Sequence, residues 1–168
     1  INVGDGLDSK STMGPLVADR RLEVMEDFIS DAVSSGGEVI SGGGRGQSPG
    51  SFFEPTLIRD VPDTAKIMIE EPFGPVAPSA SFSSIDEIIE RANSLPFGLA
   101  SYAFTSNPRT SQILKSEIES GMLAINSMHI HSVETPFGGL KHSGYGYEGS
   151  IEGLEAFLVT KYSSEIYT

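Results

Sequence analysis

Cysteine is absent from this 168-residue sequence, which excludes disulfide bonds, thiolate metal ligands and a cysteine nucleophile on the chain itself. Basic residues are scarce, with 11 Lys and Arg against 23 Asp and Glu and a formal net charge of −12. This acidic balance argues against nucleic acid and anionic membrane surfaces as partners. Long hydrophobic runs are also missing, so no stretch of the sequence predicts a transmembrane helix.

The first ten residues, INVGDGLDSK, have no basic stretch followed by an apolar one. We therefore predict no signal peptide and expect a cytoplasmic protein. Because the first residue is Ile1 rather than Met, we expect the chain to be a processed or excised piece of a longer one. The length suits one domain with a hydrophobic core, and the 38% hydrophobic content is typical of a globular chain.

Predicted helices and strands alternate along the chain. Apolar residues spaced by three and four predict a helix within residues 16–35 that ends at Gly36 and Gly37. A capping box at residues 84–87 and the pair Asn107-Pro108 each predict a helix start, and a short helix is expected around residues 150–156. The extended segments are predicted in EVI, FFEPTLIRDV, AKIMIE, VAPSASFS, LASYAFTS and MLAIN. This order favours an α/β fold with a parallel sheet flanked by helices.

Three local patterns suggest ligands but have simpler explanations. GYGYEG (144–149) matches a dinucleotide fingerprint, yet no strand is predicted before it, so turn glycines are favoured. GGGRG (42–46) lacks the Gly-Lys-Ser/Thr ending of a phosphate-binding loop and predicts a hairpin loop. His129, His131 and His142 lack a further ligand at metal-site spacing, so we predict no metal.

The stretch IEEPFGPVAP (69–78) sets adjacent carboxylates beside an aromatic ring and a rigid turn. It is either a strand-to-turn junction or a site where a carboxylate and a ring are held against a ligand. Residues two apart on an extended segment share a face, so Glu71 and Phe73 can contact one ligand together.

Residues 127–149 show no helical or strand periodicity, and a loop of this length is usually functional or wrongly assigned. Within it, Gly138 and Gly139 directly follow Phe137 and allow a sharp turn while the ring is held in place. This arrangement suits the wall of an apolar substrate tunnel, although a surface loop with tight turns is the alternative. His131 is either a polar group facing a substrate or a surface histidine.

Several of these strings occur in one order: GDGLDSKSTMGPLV, FFEPTLIRDV, EEPFGPVAP, RANSLPFGLASYAFTSN, GMLAIN and PFGGLKHSGYGYEGSIEGLEAFLVTKY. Together they closely resemble the C-terminal part of the catalytic domain of NAD(P)-dependent aldehyde dehydrogenases, over essentially the whole chain. ETPFGGLKHSGYGYEGS and FLVTK are most similar to the succinate-semialdehyde dehydrogenase branch. The resemblance implies a catalytic-domain part at residues 1–149 and, at residues 150–168, a helix and an oligomerisation strand that joins subunits into a homo-oligomer.

The resemblance also assigns site residues. In such enzymes the second glutamate of the EE-x-FGP motif binds the nicotinamide ribose hydroxyls and the following phenylalanine packs near the nicotinamide; these are Glu71 and Phe73. Pro72 stands where the family often has an aliphatic residue. Phe137 resembles the aromatic residue of the substrate tunnel, and His131, with Ser132 beside it, falls at a serine that helps hold a distal carboxylate.

The implied reaction is oxidation of a small aldehyde through a thiohemiacetal, with NAD or NADP as cofactor and succinate semialdehyde as the best guess for substrate. Because His131 replaces the serine, other semialdehydes and aromatic aldehydes remain alternative substrates. This segment follows three features of the family in the chain: the nucleophilic cysteine, the general-base glutamate and the residues that contact the 2′-position of the cofactor ribose. We therefore assign no catalytic residue here, leave NAD against NADP undecided, and expect the segment alone to be inactive. The alternative is a non-catalytic interaction or oligomerisation module of the same fold.

Overall fold

In the computed structural model, which describes residues 1–167, the chain divides into two units, Ile1–Phe82 and Ser83–Thr168. Both mix helices and strands, as the predicted α/β class requires. The predicted boundary after residue 149 falls inside the second unit and stays a prediction. Within the described residues, no helix has both the length and the apolar character needed to cross a bilayer.

The first unit is built around helix α1. Its elements are α1 (Arg20–Ser34), β1 (Glu38–Ser41), β2 (Thr56–Arg59), α2 (Lys66–Ile69) and β3 (Val76–Pro78). The strands form one sheet in the order β1-β2-β3, with β1 antiparallel and β3 parallel to β2. Of the apolar stripe predicted for α1, five residues are buried and Val33 is 47% exposed; the buried five are Leu22, Met25, Phe28, Ile29 and Ala32. These side chains pack with Phe53, Ile58 and Val76 into the core.

The prediction of an extended segment at AKIMIE is wrong, because this stretch contains the four-residue helix α2. The Lys66 N–H at its start donates to Asp31 Oδ2 on α1 at 2.7 Å. Ile67 is buried in the core. These contacts with α1 select the helical turn, and a short apolar run cannot reveal them because it suits a strand or a buried helix equally.

The second unit contains the predicted strand-helix-strand order. Its elements are α3 (Ile85–Asn93), β4 (Phe97–Gly98), β5 (Ala100–Ala103), α4 (Pro108–Glu117), β6 (Met122–Ile125), β7 (Leu140–Lys141) and α5 (Ser150–Glu155). Strands β5 and β6 are parallel and are joined through α4, whereas β4 and β7 form a separate antiparallel pair. The parallel pairing of β5 and β6 agrees with the predicted parallel sheet, whereas the antiparallel pairs and the division into three sheets were not predicted.

Capping groups mark the helix starts that the sequence predicted. The Ser84 side chain accepts a hydrogen bond from the Glu87 N–H at 3.1 Å, and the Glu87 carboxylate accepts from the Ser83 N–H at 2.8 Å. At α4, Asn107 Oδ1 accepts from the Arg109 N–H at 2.9 Å, and Pro108 takes the first helical position. Both caps satisfy N–H groups that have no partner within the helix.

Residues 157–167 form no strand in the structure, and their large side chains are exposed; Val159 is 94% and Tyr162 86% accessible. The predicted C-terminal strand is a statement about pairing with a second subunit and stays a prediction. Thr168, its last residue, lies outside the described residues.

Candidate cofactor and substrate sites

The segment from Glu71 to Phe73 follows α2 on the surface of the first unit. Its backbone is extended at Glu70, with φ −108° and ψ 140°, but left-handed at Phe73, with φ 41°. The predicted sharing of a face assumed an extended backbone throughout, so the alternation argument fails at Phe73. Both side chains are nonetheless accessible, since Glu71 is exposed and the Phe73 ring is 72% exposed.

Gly74 fixes the position of this segment against the core. A Cβ atom at Gly74 would lie 2.2 Å from Sδ of Met25, a fully buried side chain of α1. A side chain at this position would therefore force the Met25 side chain to shift, which glycine avoids. One residue further on, the Pro75 carbonyl accepts a hydrogen bond from the Thr56 N–H at 2.8 Å, which ties the segment to the start of β2.

Arg21, on the first turn of α1, contacts the same segment and was missed by the sequence analysis. Its Nη2 group donates a hydrogen bond to the Pro72 carbonyl oxygen. The sequence carried one weak signal, because a cation at a helix N-terminus opposes the helix dipole and suggests a role outside the helix.

Phe137 is half-buried in the second unit, and its backbone is held by Glu148. The N–H and C=O groups of these two residues exchange hydrogen bonds of 2.8 Å in both directions. The next residue, Gly138, is buried beside Gly121. A Cβ added at Gly121 would lie 1.9 Å from the Gly138 carbonyl oxygen. The loop thus packs backbone against backbone at the start of β6.

His131 lies against Phe137, with ring centroids 5.7 Å apart and an interplanar angle of 79°. This edge-to-face contact brings together two of the three predicted substrate residues. Ser132 is engaged elsewhere: its hydroxyl donates to Glu134 Oε2 at 2.6 Å. That hydrogen bond holds the pKa of the Glu134 carboxyl below its ordinary value, which favours a negative charge beside Ser132.

A cavity of about 200 Å³ lies behind Phe137. Its lining residues are glycines of the 138–146 stretch together with Leu99, Phe137, Ser143, Tyr145, Tyr147 and Glu148. Gly144, Gly146 and Gly149 have φ values of 132°, 76° and 67°, which fits the predicted turn glycines. The two tyrosines and Glu148 were not predicted, because a pattern of glycines does not show which side chains its turns bring together.

Lys141 anchors the far end of the same loop. Its Nζ group donates to the Asn93 and Leu95 carbonyl oxygens at 2.9 and 3.1 Å, at the C-terminal end of α3, and forms an ion pair with Glu119 at 2.6 Å. The Lys141 side chain is 27% exposed. The loop that carries Phe137 is therefore held at two points, Lys141 and Glu148.

Of the other two local patterns, GGGRG agrees with its simpler explanation, and the absence of a metal at the histidines stays a prediction. In the GGGRG stretch, the Gly46 N–H donates to the Phe52 carbonyl at 2.8 Å, as in a hairpin, and Arg45 pairs with Glu26 at 2.7 Å. Across residues 1–167, no group of three or more His, Cys, Asp or Glu side chains is arranged to hold a metal ion.

Comparison with known proteins identifies the class of this α/β chain. The model of the aldehyde dehydrogenase family matches residues 1–163. A probable NADP(+)-dependent succinate-semialdehyde dehydrogenase of Sinorhizobium fredii is 44% identical over 162 residues, which are 96% of this chain and 33% of that protein. The 4-(hydroxymethyl)benzenesulfonate dehydrogenase TsaD1 of Comamonas testosteroni is 42% identical over 96% of this chain and 34% of its own length.

The fold agrees with that comparison. A crystal structure of succinate-semialdehyde dehydrogenase from Burkholderia pseudomallei matches with a TM-score of 0.91 and 36% identity, covering 95% of this chain and 33% of that one. The chain belongs to the aldehyde dehydrogenase family, and this confirms the resemblance that its motifs indicated. It spans about a third of the length of these relatives.

Proposed function

We propose that this chain is the C-terminal part of the catalytic domain of an NAD(P)-dependent aldehyde dehydrogenase that oxidises succinate semialdehyde to the carboxylic acid. The observation that carries the proposal is the family match over residues 1–163, whose relatives include succinate-semialdehyde dehydrogenases. The nucleophilic cysteine of the thiohemiacetal step belongs to sequence outside these 168 residues, because they contain none. The enzyme acts in the cytoplasm as a homo-oligomer joined through the C-terminal strand.

The residues on the cofactor side suit a nicotinamide nucleotide. When bound, NAD(P) accepts the hydride that leaves the aldehyde carbon. Among residues 1–167, Glu71 has no hydrogen-bond or ion-pair partner, and its exposed carboxylate can accept two hydrogen bonds from the cis-diol of a ribose. The exposed Phe73 ring supplies an apolar surface beside it. Glu71 orients the ribose, and Phe73 limits access of water to the nicotinamide.

The residues on the substrate side suit a small aldehyde with a distal anion. The His131 ring contacts Phe137, which lines the cavity, so its N–H can donate to a carboxylate while Phe137 contacts the carbon chain. The Ser132 hydroxyl already donates to Glu134, so Ser132 contributes to the substrate site by holding that carboxylate and not by a hydrogen bond to the substrate. Glu134 sets a negative charge near the proposed anion site and weakens binding there.

The first test is Glu71→Gln in the full-length enzyme. The amide keeps the size of the side chain but loses its charge, so its hydrogen bonds to the ribose weaken. We expect kcat/KM for NAD(P) to fall roughly tenfold, as for the loss of one charged hydrogen bond. The melting temperature is expected to stay that of the wild type, because Glu71 is exposed. Steady-state kinetics equal to those of the wild type would refute the role of Glu71.

A second test, Glu134→Gln, probes the substrate class. Removing this exposed charge is expected to lower the KM for succinate semialdehyde roughly two- to threefold, in the range of surface charge effects. The KM for butanal, which has four carbons but no carboxylate, should not change. An equal change for both aldehydes would contradict an anion site at His131.

A non-catalytic oligomerisation module is the second candidate, favoured by the exposed apolar side chains of the tail. Phe157 is 89% and Ile166 85% accessible, an arrangement that needs a partner surface. The two candidates differ in turnover: the full-length protein reduces NAD(P) with an aldehyde only if the first is right.

A further inference from the structure

Arg21 occupies a position that local rules disfavour. It is the second residue of α1, where a positive charge opposes the helix dipole. Its Nε atom is buried and, among the described residues, has no hydrogen-bond partner. A buried donor without a partner destabilises a fold. Both features destabilise the first unit. The contact of Arg21 with Pro72 is therefore the candidate reason for an arginine at this position.

The Pro72 carbonyl is the backbone group that lies between the two proposed cofactor residues. Proline has no N–H, so this oxygen is the only main-chain group through which position 72 can be held. In residues 1–167, the flanking backbone hydrogen bonds run from the Glu70 N–H to the Lys66 carbonyl at 2.7 Å on one side and from the Val76 N–H to the Gly74 carbonyl at 2.9 Å on the other. The Arg21 bond holds the stretch between them.

The backbone of that stretch needs support. Phe73 is a bulky residue with φ 41°, a left-handed conformation that such residues rarely adopt. Strained residues of this kind persist where surrounding contacts fix them, and they cluster at ligand sites. Here the contacts are Arg21 on the Pro72 side and the buried Met25 against Gly74 on the other.

We propose that Arg21 is a positioning residue for the cofactor. Its guanidinium group holds the Pro72 carbonyl and thereby fixes the direction in which the Glu71 carboxylate and the Phe73 ring meet the nicotinamide ribose. A charged donor suits this task because its hydrogen bonds are stronger and more directional than those of a neutral group. The inference rests on the proposed function of Glu71 and adds a residue that does not itself touch the cofactor.

The test uses the full-length protein with Arg21→Met, which keeps much of the apolar stem and removes the donor. We expect the KM for NAD and for NADP to rise roughly tenfold, the size of a lost charged hydrogen bond. The KM for the aldehyde should stay unchanged. Arg20→Met is the matched control, because Arg20 is the exposed neighbour on the same helix. Arg21→Lys keeps a charged donor and should restore most of the cofactor affinity; it also carries the test if the methionine variant folds poorly.

Combining Arg21→Met with Glu71→Gln separates positioning from general damage. If Arg21 acts through Glu71 and Phe73, the double variant loses less cofactor affinity than the sum of the two single losses. Fully additive losses, or an Arg21→Met variant with the cofactor KM of Arg20→Met, would overturn the inference while leaving the proposed function standing. If Glu71→Gln itself changes nothing, the proposed function of Glu71 fails first and the inference falls with it.

Discussion

Gly121→Ala is expected to destabilise the second unit by about 3 kcal/mol, at the upper end of overpacking effects. The added Cβ would lie 1.9 Å from the Gly138 carbonyl oxygen, 2.8 Å from its carbonyl carbon and 2.9 Å from Cα of Gly139. All three atoms are backbone, so no side chain can rotate away to make room. On the other side, the Gly121 N–H donates to the Gly98 carbonyl at 2.9 Å, which prevents the strand end from retreating freely.

The functional consequence follows from the position of Phe137, which directly precedes Gly138. Moving the Gly138 backbone displaces Phe137, which lines the cavity, so we expect a higher KM for the aldehyde in any folded fraction of the variant. Urea denaturation of the full-length enzyme measures the stability change. Gly14→Ala is the control, because a Cβ there meets nothing within 4 Å. Equal denaturation midpoints for the two variants would contradict the close approach of the two loops.

Local signals made much of the fold predictable. The helical spacing in α1 identified its buried face, and the caps at Ser84 and Asn107 marked the starts of α3 and α4. Each of these features depends on residues within about a turn of one another, so the local sequence is enough to predict it. The family resemblance was readable for the same reason, since its motifs are contiguous strings.

The features that sequence could not supply depend on distant contacts. The helical turn of α2 follows from Asp31 on α1, which precedes Lys66 by 35 positions. The left-handed backbone at Phe73 and the bond from Arg21 to Pro72 arise only when α1 lies beside this segment. At the substrate side, the contact of His131 with Phe137 needs the loop to turn back on itself. The sequence motifs therefore selected the candidate site residues, and the structure added how their backbones and side chains contact one another.

Two phenylalanines of the first unit are expected to respond in opposite ways to truncation. Phe53 is 1% exposed in the core, so Phe53→Ala should lower the free energy of unfolding by about 3–5 kcal/mol, as for other buried aromatic residues. Phe73 is 72% exposed, and Phe73→Ala should change that free energy by less than about 0.5 kcal/mol. A solvent-facing ring contributes little to the core, and the proposed cofactor contact would account for such a ring at a strained backbone position.

Denaturation and cofactor titration of the two variants in the full-length enzyme test this contrast. Phe73→Ala should bind NAD(P) more weakly at unchanged stability, whereas Phe53→Ala should lose stability first and retain the cofactor affinity in its folded fraction. If Phe73→Ala proved as destabilising as Phe53→Ala, the ring at 73 would belong to the interior packing of the enzyme. The carboxylate of Glu71 would then lack its apolar neighbour, and the cofactor surface of this segment would have to be sought elsewhere.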